Sequence, residues 1–105
     1  MRIHHLIDGK AVEGHDTFET VDPATQDVLA EVAAGTAAEV SLAVAAAKAA
    51  FPAWAARPAT ERAALMRKLG DLITRHVPEL SETETRDCGQ VISQTRKNLV
   101  PRAAD

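Results

Sequence analysis

The chain has no tyrosine, one tryptophan, two phenylalanines and a single cysteine among its 105 residues. Aromatic side chains supply much of the buried area in most cores, so a chain this poor in them must build its interior from smaller pieces. The one cysteine excludes an internal disulfide framework and suits a reducing compartment, with the cytoplasm as the expected location. No apolar run approaches the roughly 20 residues that a membrane-spanning helix needs. The opening MRIHHLIDGK lacks the apolar stretch and small-residue cleavage site of a signal peptide. The net charge of -3, with Lys and Arg spread along the chain, gives no reason to expect nucleic acid or an anionic membrane as partner. The five glycines match neither the dinucleotide fingerprint nor the phosphate loop.

What is present is alanine, which carries much of the 46% hydrophobic content. Alanine favours helix but offers little apolar area, a combination suited to helices lying close against other parts of a larger body. Short β-prone runs come first. His4 to Ile7 is closed by the turn dipeptide Asp8-Gly9, and Ala11 and Val12 begin the returning strand. Phe18 to Val21 alternates apolar and polar residues, Asp22-Pro23 starts a turn, and Val28 to Val32 alternates again. Two hairpins in series are expected.

Gly35 then ends the strands, and Thr36 with Glu39 forms a capping box that opens a helix. Val40, Ala43, Val44, Ala47, Ala50 and Phe51 fall on one face of it. Pro52 is expected to end or kink this helix, which leaves Trp54 in a connector. Pro58 suits the first turn of the next helix, whose apolar face is Leu65, Met66, Leu69, Leu72 and Ile73. A further helix starts near Val77-Pro78 and stops at Gly89, and a last segment begins near Ile92. Gly70 sits inside a helical pattern, where close packing against a neighbour would explain it.

Few residues suggest chemistry. Cys88 is placed at a helix C-terminus beside Asp87 and one turn from Glu84, all of which raise a thiol pKa, so a structural, buried or half-buried residue is expected in place of a nucleophile. His4 and His5, adjacent on a strand, point to opposite faces and cannot chelate one metal, and neither His15 nor His76 adds a matching spacing. Glu79, Glu82, Glu84 and Asp87 read as a solvated helix surface. No catalytic residue can be assigned.

The order of these pieces is the informative signal. IDGK, FETVDPATQDVLAEVAAG, the helix ending in AAFPAW, ERAALMRKLGDLITRHVPEL and the acidic helix leading to ETRDCG follow one another in register. Together they resemble the N-terminal part of NAD(P)-dependent aldehyde dehydrogenases over essentially the full length. Two positions depart from the family pattern: the Asn-Pro-Ala-Thr-Gly turn is here Asp22-Pro23-Ala24-Thr25-Gln26, without its glycine, and the Thr-Gly after the acidic residue is Cys88-Gly89. The tail ISQTRKNLVPRAAD resembles a narrower branch, the hydroxymuconic and carboxymethyl-hydroxymuconic semialdehyde dehydrogenases of aromatic catabolism.

The resemblance implies an α/β fold: two N-terminal strand pairs followed by three to four helices. It makes residues 1–105 the N-terminal portion of the cofactor-binding domain, with the sheet incomplete and no complete domain. It implies an intact, homo-oligomeric enzyme that oxidises a small-molecule aldehyde to the acid. There a cysteine attacks the aldehyde, hydride passes to NAD or NADP, and a carboxylate-activated water releases the product. The nucleophile, general base and cofactor contacts match segments beyond Asp105, so this chain alone is expected to bind no cofactor and to be inactive. In the semialdehyde branch a Pro-Arg pair borders the substrate tunnel, which implies Arg102, with Asn98 one turn earlier, as substrate-binding residues for a carboxylate. The alternative is that Arg102 is a solvated helix arginine. The resemblance also implies a monovalent cation site using backbone oxygens near Thr20 and Val21 and the carboxylate of Asp87. A different reading makes the chain a non-catalytic module that docks on an intact dehydrogenase subunit.

Overall fold

The computed structural model describes residues 1–105, which form two compact units: Met1–Val21 with Val28–Arg57, and Asp22–Asp27 with Pro58–Asp105.

The first unit opens with five strands, β1 (Arg2–Ile3), β2 (His5–Ile7), β3 (Lys10–Val12), β4 (Asp16–Val21) and β5 (Val28–Ala34). The expected hairpins are there. Antiparallel β2 and β3 are joined by Asp8 at φ 53° and Gly9 at φ 71°, the two positive values that a tight hairpin turn requires. β4 and β5 pair antiparallel from Asp16 opposite Ala34 to Thr20 opposite Ala30, after which Val21 faces Val28. Leu29 is left over, a bulge that bends the strand. One element went unforeseen: β1 pairs parallel with the far side of β5, giving a three-stranded sheet in the order β1-β5-β4. His4 lies outside the strands, between β1 and β2.

The buried apolar interior is small, being Ala30 and Ala33 of β5. Close approach makes it possible. A Cβ at Gly14 would stand 3.0 Å from the Ala33 Cβ and 3.1 Å from Nε2 of His5, so a larger residue there would press its neighbours outward by a few tenths of an ångström.

Helix α1 (Ala37–Ala56) begins as its cap predicts. The Ala38 N–H donates to Oγ1 of Thr36 at 3.2 Å, and the Thr36 N–H donates to Oε2 of Glu39 at 2.7 Å. The Thr36 hydroxyl donates to the same carboxylate, and these bonds hold the Glu39 pKa below the ordinary value. Pro52 corrects an expectation: the helix runs through it to Ala56, so Trp54 is helical and in no connector. Proline forfeits its own hydrogen bond and crowds the carbonyl one turn back, at about 3 kcal/mol. The residues after it still bond backwards, and the alanine-rich turns on either side sustain the helix. The face carrying Val40, Val44 and Phe51 is exposed, Phe51 at 66%.

The second unit holds the loop Asp22–Asp27 and the remaining helices. Oδ1 of Asp22 accepts the Ala24 N–H at 2.8 Å, and the Asp22 carbonyl accepts the Gln26 N–H at 2.8 Å. Gln26 adopts φ 65°, so the loop keeps a glycine-type conformation without the glycine, and the Gln26 Nε2 donates to the Pro23 carbonyl at 3.0 Å. Helices α2 (Ala59–Arg75) and α3 (Val77–Cys88) follow, α2 directly after Pro58. Gly89 at φ 70° caps α3 and donates its N–H to the Thr85 carbonyl at 2.9 Å, the left-handed stop expected of a glycine there. Gly70 does lie against a neighbour, since its Cβ would fall 2.6 Å from the backbone oxygen of Ala104. Leu65, Met66, Leu69 and Leu72 of α2 are exposed, while Ile73 is half-buried.

The last segment is one winding of three pieces: α4 (Ile92–Gln94), a π-helical stretch (Thr95–Leu99) and α5 (Val100–Arg102). In the wide turn the Val100 N–H donates to the Thr95 carbonyl, five residues back. Pro101 explains the widening. It has no N–H, and its ring would collide with the Lys97 carbonyl in a regular α-turn.

Candidate functional site

Arg102 closes α5 and is exposed, its guanidinium available to a planar anion. Asn98 lies inside the π-helical stretch, and its Nδ2 donates to Oε1 of Gln94 at 2.6 Å. A regular α-helix would stack Asn98 one turn below Arg102. The π-helical stretch interrupts that stepping, and one amide proton of Asn98 is engaged within the segment. Both residues belong to the second unit.

Thr95 is the residue sequence reading missed. It is fully buried at 0% exposure, and its hydroxyl donates to the Ile92 carbonyl at 3.0 Å while lying 3.0 Å from Oγ1 of Thr85 on α3. Ser81, one turn before Thr85, is also fully buried. A threonine and a serine in polar stretches give no period or motif that would have marked them.

Cys88 is exposed, which corrects the expectation of a buried or half-buried thiol. Its pKa is nevertheless raised, first by local desolvation, slight as this is for an exposed group, and then by the charges of Glu84 and Asp87. The helix C-terminus also disfavours a thiolate, so nothing here activates a nucleophile.

The residues considered for a cation are divided between the units. Thr20, half-buried, and Val21, exposed, end β4 in the first, and Asp87 lies in the last turn of α3 in the second. Their oxygens are of the hard type that a monovalent cation prefers. Among His, Cys, Asp and Glu side chains no group of three or more could hold a metal ion. The acidic residues Glu79, Glu82, Glu84 and Asp87 are all exposed, as a solvated helix face should be. The glycines with positive φ close a hairpin and cap a helix C-terminus, and neither opens a helix toward a phosphate. These residues therefore do not form a cradle for a dinucleotide. An open groove between the β2–β3 hairpin and α1, lined by Leu6, Ile7 and four alanines of α1 with Asp8 at the hairpin turn, is mostly apolar and holds none of the candidates. No helix is long and apolar enough to cross a membrane.

The model of the aldehyde dehydrogenase family matches residues 11–105. The 5-carboxymethyl-2-hydroxymuconate semialdehyde dehydrogenase of Escherichia coli is 54% identical over 103 residues, 98% of this chain and 22% of that protein. The 2-aminomuconic semialdehyde dehydrogenase of Bos taurus is 33% identical over 103 residues, covering 98% of this chain and 21% of its own length. Among solved structures, PnpE in complex with nicotinamide adenine dinucleotide superposes with a TM-score of 0.94 at 42% identity, over 99% of this chain and 22% of that one. The chain spans about a fifth of the length of these relatives.

Proposed function

The chain belongs to the aldehyde dehydrogenase family, and from that premise we propose that it is the opening segment of an enzyme oxidising a carboxylate-bearing semialdehyde of aromatic catabolism to the acid. The reading is supported above all by the 54% identity to a semialdehyde dehydrogenase across 98% of the chain. NAD or NADP supplies the hydride acceptor in such an enzyme. The part of these 105 residues is structural, with one contribution to the substrate: Arg102 binds the carboxylate through two parallel N–H bonds. Asn98 has a second amide proton and its carbonyl to add to that contact. The enzyme works in the cytoplasm as a homo-oligomer.

The surface supports a role inside a larger body. Val40, Leu42, Phe51, Met66 and Leu69 are among the uncovered side chains. Burying such a surface is the work of an extensive, permanent interface.

The test is a chimera in which this chain replaces the aligned segment of the Escherichia coli relative. It should oxidise 5-carboxymethyl-2-hydroxymuconate semialdehyde with NAD. Arg102→Ala should raise KM for that aldehyde at least about tenfold, as losing a charge-assisted bidentate contact implies, and leave KM for octanal unchanged. An unchanged KM for the semialdehyde would make Arg102 a solvated helix arginine.

The same uncovered apolar faces favour one second reading, a module that docks on an intact dehydrogenase subunit. Stoichiometric association of the isolated chain with the complete enzyme, accompanied by altered activity, would support it. No association would remove it.

A further inference from the structure

The fully buried hydroxyls have no part in the reading above. Ser81 and Thr85 stand one turn apart on α3, with Thr95 meeting Thr85 at the start of the π-helical stretch. The small hydroxyl face lets the two segments approach closely. Thr95 carries one hydroxyl proton and donates it to the Ile92 carbonyl, so Thr85 is the donor in the bond between the threonines. The result is a directed relay, Thr85 to Thr95 to the Ile92 backbone, that ties α3 to the terminal winding.

Its place in the fold gives it a consequence. A π-helical stretch is uncommon, persists where its surroundings hold it, and changes the direction in which later residues project. Thr95 is the first residue of the stretch and its only fully buried member, while Asn98 lies within it and Arg102 follows in α5. Pro101 obliges the turn to widen, but proline alone does not fix where the widened turn sits. The Thr85–Thr95 bond supplies that fixed point. A guanidinium that binds a carboxylate through two bonds must be held in both position and plane, and a misplacement of about 1 Å is costly.

We propose that Thr95, held by Thr85, is a positioning residue for carboxylate recognition, fixing the π-helical turn that aims Arg102 at the substrate. The proposal rests on the reading of Arg102 given above. It differs from a simple packing role because it ties a buried hydroxyl to selectivity between aldehydes.

The experiment uses the chimera with two substrates, 5-carboxymethyl-2-hydroxymuconate semialdehyde and octanal. Thr95→Val keeps the shape and removes the hydroxyl, leaving the Thr85 hydroxyl without its acceptor, while the Ile92 carbonyl still accepts the backbone N–H of residue 95. It should raise KM for the semialdehyde about tenfold, the effect of an unmade buried hydrogen bond passed to the contact, with kcat for both substrates and KM for octanal within about twofold. Thr95→Ser should restore the semialdehyde KM. Thr85→Val, at a less buried site and leaving the Thr95–Ile92 bond in place, should shift KM in the same direction by a smaller factor. It carries the test if Thr95→Val does not fold. If the threonine variants lower only the thermal midpoint while Arg102→Ala raises the semialdehyde KM, the positioning proposal is overturned and the reading of Arg102 stands. If Arg102→Ala itself leaves that KM unchanged, the reading of Arg102 fails and the proposal falls with it.

Discussion

Replacing Gly70 with alanine sets two effects of known sign against each other. In an unhindered helix interior, Gly→Ala stabilises by about 1 kcal/mol. Here the new Cβ would stand 2.6 Å from the Ala104 carbonyl oxygen, against 3.4 Å for the near edge of ordinary contact, so something must yield by 0.8 Å (3.4 less 2.6). That oxygen belongs to backbone, not to a flexible tip. Its segment is pinned by the Ala103 N–H on the Val100 carbonyl at 3.1 Å and the Ala104 N–H on the Pro101 carbonyl at 3.0 Å. Overpacking of this kind costs about 1–3 kcal/mol, so the clash outweighs the gain in helix propensity. The expected outcome is local release of residues 103–104 from α2, at about 1 kcal/mol net. Amide exchange in the chimera reads this directly: the Ala103 and Ala104 amides should exchange about fivefold faster in Gly70→Ala. Unchanged or slower exchange, with a higher thermal midpoint, would show that propensity alone decides and that the close approach has no energetic meaning.

Gln26→Gly should stabilise the chimera by about 0.5–1 kcal/mol in urea unfolding. Relief of a left-handed L-residue outweighs both the added freedom of the unfolded chain and the loss of the Gln26–Pro23 bond. Thr36→Ala should cost about 1 kcal/mol of stability in α1 at neutral pH, read by exchange of the Ala38 amide. The folded pKa of Glu39 is depressed, so its contribution is complete above the ordinary glutamate value and is lost as pH falls through the lower folded value; the Thr36→Ala deficit should shrink over that acid range. Cys88 should react with iodoacetamide more slowly than a free cysteine at neutral pH, and Cys88→Ser should leave the chimera fully active.

The elements legible in the sequence were those with local causes. Asp8-Gly9 closes its hairpin, Thr36 and Glu39 cap α1, and Gly89 stops α3, each through bonds or dihedrals spanning a few residues. What was missed depends on distant or competing terms. The parallel pairing of Arg2 and Ile3 with β5 joins residues nearly thirty positions apart and shows no alternation over so short a strand. At Pro52, where a stop or a kink was expected, the helix does not stop, because the alanine-rich turns on either side sustain it past the one broken hydrogen bond. The loss of the turn glycine at Gln26 left the loop in place, because Asp22 supplies several of its bonds. Arg102 and Asn98 came from the resemblance alone; the first is exposed and the second bonds Gln94. The π-helical turn and the buried Thr95 that anchors it follow from Pro101 and from a partner ten residues away, which no helical period reveals.

Amide exchange on the purified chain beside the chimera reads whether the apolar faces of α1 and α2 are covered by the rest of a dehydrogenase. Fast exchange along both helices and no sharp unfolding transition are expected for the chain alone, with strong protection of the same amides in the chimera. A sharp cooperative transition and equal protection in the isolated chain would contradict it.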